Sequence, residues 1–173
     1  MIRLTAPITD KDVKSLHVGD KVLISGTMYT ARDQAHIRLL EEKDPKFDMQ
    51  GCIIYYVGPT PSKPNQAIGA SGPTSSYRMD KMSPELMRRG VKLMIGKGDR
   101  SETFRKEMIK ENAAYLIATG GAAALLSSCI KSSEVIMYPE LGPEAIRKLE
   151  VEDFPCFVAY DVYDKNIFKG DAQ

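Results

Sequence analysis

Short apolar runs alternate along the chain with stretches whose apolar residues recur at helical spacing. The runs are bounded by glycine, proline or charged residues and favour buried strands. Strands are predicted at residues 21–25, 52–57, 91–95, 114–118 and 134–138, with a closing hairpin of residues 157–160 and 166–168. Helices are predicted at residues 31–42, 83–90, 101–112, 122–130 and 143–149. This order predicts an α/β domain with a largely buried sheet and, from the pattern alone, a doubly wound one.

The first predicted helix begins with polar residues that need an explanation. Thr30 and Asp33 have the spacing of a capping box, in which side chains satisfy the free N–H groups of a helix start. Arg32 is a cation at the positive end of the helix, which is mildly unfavourable. His36 lies one turn later on the same face, and Asp33 is placed to hold its ring nitrogen and fix its tautomer. Either these residues form part of a site, or Asp33 belongs to the cap and the other two lie on the surface.

A loop rich in small residues is predicted at residues 68–80. Gly72 and Pro73 interrupt regular structure, and the hydroxyl of Thr74 and the guanidinium of Arg78 follow in the same loop. Backbone N–H groups, hydroxyls and a planar cation together suit an anion, because a guanidinium matches a carboxylate or phosphate with two parallel hydrogen bonds. The alternative is a surface turn with a solvated arginine.

Lys97 follows a predicted strand and stands between Gly96 and Gly98. Glycine on both sides lets the backbone approach a ligand, and ligand sites of α/β folds lie at strand ends. The phosphate-binding sequence Gly-x-x-x-x-Gly-Lys-[Ser/Thr] is absent, so no P-loop is predicted. A lysine in an ordinary turn is the alternative reading.

Composition and charge narrow the class of protein. The 173 residues suffice for one domain over residues 1–173, and the net charge of +1 argues against a partner that is nucleic acid or a membrane surface. We find neither the apolar core of a signal peptide nor an apolar run long enough to span a bilayer. The three cysteines, Cys52, Cys129 and Cys156, are far apart and form neither a disulfide framework nor a metal-binding pattern. A reducing, cytoplasmic compartment is therefore expected.

Three signatures occur in one order: Gly26-Thr-x-Tyr-Thr-Ala-Arg-Asp-x-x-His36, Gly72-Pro-Thr-Ser-x-x-Arg-Met-Asp80 and Gly96-Lys-Gly98. With Thr119-Gly-Gly-Ala-Ala-Ala124 and Glu140-Leu-Gly-Pro-Glu144, they resemble the β subunit, or C-terminal domain, of iron–sulfur (class I) fumarate hydratases and L-tartrate dehydratases. The resemblance covers nearly the whole chain. It implies a swivelling β/β/α domain, a single domain with a mixed sheet, in place of the doubly wound sheet.

The resemblance also implies a reaction and a partner. The family adds water to, or removes it from, small dicarboxylic hydroxy acids, with a 4Fe–4S cluster as Lewis acid. The cluster would be bound by cysteines of a partner α subunit and not by this chain, in a hetero-oligomer with two of each subunit expected. This chain would then supply half of the active site. Arg32, Arg78 and Lys97 match the positions that bind the substrate carboxylates.

The proton-transfer groups follow from the same resemblance. Thr74 matches the proposed base that takes the carbon-bound proton, and His36 matches a position with an active-site role. A free hydroxyl is a poor base near neutral pH, so Thr74 needs neighbouring cations that favour its alkoxide. Otherwise His36, with Asp33 behind it, is the candidate base. Tyr77 stands where relatives often carry a smaller residue, which leaves the choice of substrate open.

The sequence therefore predicts the β subunit of a two-chain fumarase that interconverts fumarate and (S)-malate. An L-tartrate dehydratase is the alternative within the enzyme class. Outside that class, the same loops would serve a module that binds phosphate or dicarboxylate anions. The chain would otherwise be a structural partner that stabilises a cluster-bearing subunit without touching substrate.

Overall fold

The computed structural model describes residues 1–59, 62, 64–69, 71–118 and 123–170. The strands found there are β1 (Ile2–Thr5), β2 (Lys21–Thr30), β3 (Ile53–Tyr55), β4 (Leu93–Gly96), β5 (Ala114–Ala118), β6 (Ile130–Met137) and β7 (Ile146–Tyr160). The α-helices are α1 (Asp10–Lys14), α2 (Asp33–Glu41), α3 (Ser83–Arg88), α4 (Glu102–Lys110) and α5 (Ala123–Ser128). Short 3₁₀ turns lie at Ser76–Met79, Pro139–Glu144 and Ile167–Lys169.

The strands form one mixed sheet in the order β1-β2-β3-β4-β5-β7-β6. Neighbours from β1 to β5 are parallel, whereas β7 runs antiparallel to β5 and β6. β7 also pairs antiparallel with β2, so the strands β2, β3, β4, β5 and β7 close into a small barrel. The expected α/β class and mixed sheet are confirmed. The doubly wound sheet predicted from the pattern alone is wrong, because β7 joins the two sides of the parallel strands.

β2 reaches three partner strands because it is long, with ten residues. Its first half pairs with β1 and its last residues pair with β3, while β7 runs along most of its length. The register with β7 shifts between Ile24 and Gly26, and Gly26 has φ +101°. Across this shift β7 contributes one residue more than β2, and an extra residue of this kind bends the strand that carries it and increases its twist. The predicted strand at residues 21–25 is therefore only the first half of β2.

Side chains of the inner strands alternate between two apolar clusters. Ile53 and Tyr55 lie in the cluster that also includes residues of α1, whereas Ile54 and Tyr56 lie in the cluster that includes residues of α2, α3 and α4. Alternate residues of a strand point to opposite faces, and here both faces are buried. These strands consequently appear in the sequence as continuous apolar runs.

The end of the chain contains the main error of the sequence-based prediction. The helix predicted at residues 143–149 is wrong, since Ile146 begins β7 and its pairing with β2 and β6 satisfies the backbone there. Pro143 lies in a 3₁₀ turn, next to Gly142 with φ +59°. The closing hairpin is only partly present: Asn166 bridges to Tyr160, but residues 167–169 form a 3₁₀ turn. Across the described residues, no helix is long and apolar enough to cross a membrane.

Candidate active site

The carboxyl ends of three parallel strands meet at one edge of the sheet. Thr30 pairs with Tyr55, and Tyr55 pairs with Ile95, so β2, β3 and β4 end side by side. Arg32 follows the end of β2 by two residues, and Lys97 follows β4 directly. The sequence-based placement of Lys97 at a strand end is thus found in the structure, at the edge where α/β folds bind ligands. Arg32, which was predicted only as part of a helix start, lies at the same edge.

The loop that carries Thr74 and Arg78 lies against the ends of β3 and β4. The N–H of Thr74 donates to the carbonyl of Tyr56 at 2.7 Å, and the N–H of Ser76 donates to the carbonyl of Lys97 at 3.0 Å. Ser75 forms a parallel bridge with Lys97. This loop therefore brings Thr74 and Arg78 to the same edge as Lys97.

Gly96 makes this close approach possible. A Cβ atom at Gly96 would lie 1.9 Å from the Oγ of Ser76 and 2.8 Å from the Cδ2 of Tyr56. No side chain fits at such distances, so only glycine lets the loop lie directly on the end of β4. The glycine next to Lys97 is thus explained by contact between two chain segments.

Arg78 contacts Asp33 at the start of α2. Its Nε lies 3.5 Å from the Oδ2 of Asp33, and the two side chains are 39% and 27% exposed. An ion pair at this distance and exposure adds little stability. It does place the guanidinium beside α2, with its terminal nitrogens available to an anion. Sequence spacing could not predict this pair, because the two residues are far apart along the chain.

His36 is buried and neutral, and its contacts differ from those that the sequence predicted. Its Nδ1 lies 2.8 Å from the carbonyl of Arg32, and its ring meets the ring of Tyr56 edge-on at 5.4 Å. A carbonyl only accepts hydrogen bonds, so Nδ1 carries the proton. Burial, together with a smaller effect of the nearby Arg100 cation, lowers the pKa of His36 to about 4. The prediction that Asp33 fixes the tautomer is wrong, since the Arg32 backbone does so.

The capping box predicted for this helix is also wrong. Thr30 is the last residue of β2, and its hydroxyl accepts a hydrogen bond from the N–H of Arg147 at 3.0 Å. The start of α2 has no side-chain cap from its own N-cap residue. Instead, Glu144 accepts a hydrogen bond from the N–H of Gln34 at 3.2 Å. The carboxylate of Asp33 is thereby left to face Arg78.

Arg32 and Thr74 offer polar groups that the described part of the chain does not occupy. The Nε of Arg32 is buried without a hydrogen bond, and its guanidinium lies against Gly58, where a Cβ would be 2.7 Å from Nη1. Neither Arg32 nor Lys97 forms an ion pair with any described carboxylate. Thr74 is partly exposed, and its backbone N–H is already bonded to Tyr56.

The predicted residues face an open surface. Lys97 and Arg78 are exposed, while Thr74 and Arg32 are partly exposed. A surface cavity of about 1160 Å³ has Arg78 in its lining, together with Tyr77, Asp80, Lys81 and Arg100 among others. Of the six predicted site residues, Arg78 alone lines that cavity. The edge of the sheet can hold an anion through its cations, but it does not surround a small molecule.

The described residues do not form a site for an iron–sulfur cluster. No group of three or more His, Cys, Asp or Glu residues is placed to hold a metal ion in the ranges that the structure covers. Cys52 and Cys156 are buried, and burial raises the pKa of both thiols. Cluster ligands are thiolates, so these two cysteines are unsuited to the role.

Sequence reasoning missed the buried polar residues behind this edge. The Ser76 hydroxyl bonds the N–H of Lys97, and Tyr115 in β5 bonds both Ser76 and Gly98. Arg100 forms a buried ion pair with Asp80. The sequence signal for this region was the alternation of polar residues with Gly96 and Gly98. Tyr115 gave no signal, because a tyrosine inside a strand is typical of an apolar core.

The fold and the site together define a mixed α/β domain with a cationic sheet edge. A model of the family described as "Fumarase C-terminus" matches residues 1–170, and the chain belongs to this family. It is 39% identical over 173 residues to the "Putative L(+)-tartrate dehydratase subunit beta" of Methanocaldococcus jannaschii, covering 94% of this chain and 88% of that protein. It is also 39% identical over 158 residues to "Fumarate hydratase class I, aerobic" of Escherichia coli K12, covering 88% of this chain.

Coverage differs between these two kinds of relative. The chain covers 29% of the length of the Escherichia coli fumarate hydratase. It covers 85% of the "L(+)-tartrate dehydratase subunit beta" of Escherichia coli K12, to which it is 34% identical over 170 residues. Both names denote hydro-lyases, and the chain corresponds to nearly all of one protein and to under a third of the other.

Proposed function

We propose that this chain is the β subunit of a two-chain hydro-lyase that reversibly hydrates fumarate to (S)-malate. The observation that carries the proposal is the meeting of Arg32, Arg78, Lys97 and Thr74 at one open sheet edge. The near-complete coverage of β subunits supports a separate partner chain. We also propose that the enzyme works in the cytoplasm with two copies of each subunit.

The cations of this edge suit a small dicarboxylate. Arg78 and Arg32 present guanidinium groups that can each hold both oxygens of a carboxylate, and Lys97 adds a third positive charge. A compact substrate with two carboxylates would be held at both ends, which orients the carbon between them. Because the edge is open to solvent, we propose that a partner α subunit covers it and excludes water.

Thr74 is proposed as the group that moves the carbon-bound proton. In the dehydration direction, a base takes the proton from the carbon beside one carboxylate, the C–H electron pair forms the double bond, and the hydroxyl leaves. The Thr74 alkoxide would accept that proton, and the cations of Lys97 and Arg78 would favour the alkoxide. His36 is a weaker candidate because it is buried and because its pKa, lowered to about 4, makes it a weak base.

The 4Fe–4S cluster belongs, in this proposal, to the partner subunit. Bound there, it would supply a Lewis acid for the substrate hydroxyl. The described residues of this chain offer no cluster site, so the contribution of the chain is confined to binding, orientation and proton transfer.

L-Tartrate is the second candidate substrate, because the two kinds of relative are equally similar in sequence. The test is to purify the chain together with a cluster-bearing partner under anaerobic conditions and to assay fumarate, (S)-malate and L-tartrate. We expect turnover of fumarate and malate by the complex and by neither chain alone. Turnover of tartrate alone would assign the alternative, and a complex that binds dicarboxylates without turnover would indicate a binding module. A complex that neither binds nor converts them would indicate a structural role.

A further inference from the structure

Two buried hydroxyls behind the sheet edge make contacts that the proposed chemistry does not use. Ser76 begins the 3₁₀ turn that contains Arg78, and Tyr115 lies in the middle of β5. Both side chains are 0% exposed. Neither can reach a substrate at the surface, so any role they have must act through the groups to which they are hydrogen-bonded.

The proton positions in this cluster follow from donor and acceptor chemistry. The N–H of Lys97 donates to the Oγ of Ser76 at 3.0 Å. The Tyr115 hydroxyl lies 2.8 Å from the carbonyl of Gly98 and 2.7 Å from the Oγ of Ser76. A carbonyl can only accept, so the single Tyr115 proton goes to Gly98. Ser76 then donates to Tyr115, and each hydroxyl donates once and accepts once. We refer to Lys97 N–H, Ser76 Oγ, Tyr115 Oη and Gly98 C=O as the hydroxyl chain.

The hydroxyl chain fixes both sides of the Lys97 turn. The Ser76 N–H donates to the Lys97 carbonyl at 3.0 Å, so Ser76 bonds the turn through its backbone as well as its side chain. Gly96 lets Ser76 lie directly against β4, because no side chain would fit between them. Burial raises the pKa of the Tyr115 hydroxyl, which keeps it protonated and able to donate. The turn is thus held at two successive residues.

We propose that Ser76 and Tyr115 are positioning residues that hold Lys97 in register with Thr74 and Arg78 for carboxylate binding. The inference rests on the proposed function, because it assigns Lys97 to a substrate carboxylate. The Lys97 side chain is long and exposed, so its reach is defined only if its backbone is fixed. A displaced Lys97 ammonium would bind the substrate carboxylate less well before and during the reaction alike, which raises KM and leaves kcat unchanged.

Packing of the Tyr115 ring is a separate contribution that a variant can preserve. The ring lies edge-on to Phe104 and Tyr160, with centroids 6.2 and 5.4 Å away, and the Arg100 guanidinium lies 4.9 Å from its centroid. Tyr115→Phe keeps this ring and removes only the hydroxyl. Tyr163→Phe is a matched control, because the Tyr163 hydroxyl also donates to a backbone carbonyl, that of Lys14 at 2.6 Å.

The experiment measures steady-state kinetics and amide hydrogen exchange on the complete two-chain complex. For Tyr115→Phe we expect KM for the dicarboxylate to rise about tenfold and exchange to quicken at residues 97–98. Instability alone would lower the active fraction and hence kcat, without changing KM. Ser76→Ala should act in the same direction. The double variant should be about as impaired as Ser76→Ala alone, since both residues belong to one chain of bonds.

The outcomes separate this inference from the proposed function. An active complex in which Tyr115→Phe matches Tyr163→Phe in KM and in exchange overturns the positioning role, as does a fall in kcat with unchanged KM. If the unmodified complex converts no dicarboxylate, the proposed function fails. Exchange then decides the structural part of the inference: unchanged exchange at residues 97–98 in both Tyr115→Phe and Ser76→Ala overturns it.

Discussion

Burial divides the charged and titratable side chains of the site into two groups. Lys97 and Arg78 are exposed and available to a ligand, whereas His36 and Arg100 are buried within the protein. Exposed cations can change partners at little cost, so they suit an anion that enters and leaves. Buried groups instead set the position and electrostatics of their neighbours, as the Arg32 carbonyl shows in its bond with His36.

Thr74 is tested by removing and then restoring its hydroxyl. In Thr74→Ala, kcat should fall by about 100-fold or more while the dissociation constant for substrate hardly changes, because the proton acceptor is lost and the carboxylate contacts remain. Thr74→Ser should retain part of the rate. A near-normal kcat in Thr74→Ala would place the base elsewhere, with His36 as the next candidate.

Arg78→Lys separates geometry from charge. Lysine keeps the positive charge and loses the planar group that holds both oxygens of one carboxylate. We expect kcat/KM for the dicarboxylate to fall about 10- to 100-fold, corresponding to about 1.5–3 kcal/mol. Arg88→Lys, on the exposed face of α3, is the matched control and should leave kcat/KM unchanged. Equal kinetics in the two variants would show that Arg78 is not a carboxylate ligand.

His36 should make folding depend on pH. Its pKa in the folded chain is about 4, below the ordinary value of 6.5, so the unfolded chain takes up the proton first as pH falls. Stability from this group is complete above about pH 6.5 and is lost toward pH 4, by up to about 3 kcal/mol. In His36→Asn, whose amide can still donate to the Arg32 carbonyl, this loss should be absent.

The measurement is the free energy of unfolding in urea at about pH 7 and about pH 4.5, for which this linkage predicts a difference of about 2–3 kcal/mol. His17→Asn serves as the control, because His17 is the other histidine and is exposed. If the unmodified chain and His36→Asn lose the same stability, His36 is not held neutral by burial.

Among the structural elements, those formed by local pattern were predicted well. β5 has the predicted bounds, and α3, α4 and α5 lie within the predicted ranges. β1 and α1 were not predicted, although Thr9 and Asp12 form a capping box at the start of α1. The wrong assignments are at β7 and at the start of α2, where a distant partner decides the structure. Residues 146–149 form a strand because β2 and β6 satisfy its backbone, and Glu144 caps α2 across the fold. Such contacts leave no periodic signal in the sequence.

In the candidate site, too, the sequence indicated individual residues but not the contacts between distant segments. The motifs indicated all six predicted residues, and its place at a strand end accounted for Lys97. The pairing of Arg78 with Asp33, the burial of His36 and the hydroxyl chain were not predictable, because each depends on how separate loops approach one another. The spacing of residues along one element cannot report a contact between two.

Gly96→Ala tests the contact between the Thr74 loop and β4. The new Cβ would overlap with the Ser76 Oγ, so the loop must shift. We expect the free energy of unfolding to fall by about 1–3 kcal/mol. Exchange should also quicken at residues 76–79. Gly98→Ala is the matched control: φ is +83° but no atom lies within 4 Å of its Cβ, so it should cost about 1 kcal/mol with the loop in place. A loop unaltered in Gly96→Ala would contradict the close approach.

At the scale of the whole molecule, the chain presents an open cationic edge and no cluster site in the described ranges. Single substitutions Cys52→Ser, Cys129→Ser and Cys156→Ser should therefore leave the iron content of the complex unchanged. The isolated chain should be folded and colourless, since Cys52 and Cys156 are buried neutral thiols and the described residues form no metal site around Cys129. Iron content per complex and visible absorbance check both statements. Loss of iron in a variant that stays folded and assembled would show that this chain supplies a ligand.

Because β7 closes the barrel and is the last strand to be synthesised, the barrel stays open during most of translation. β2 is synthesised early, but its antiparallel partner begins only at Ile146. Until then the growing polypeptide carries unpaired backbone groups along both β2 and β5, which are templates for joining a neighbouring molecule. Nascent chains paused before Ile146 should consequently depend on chaperones, and truncated products should aggregate rather than persist as smaller folded pieces.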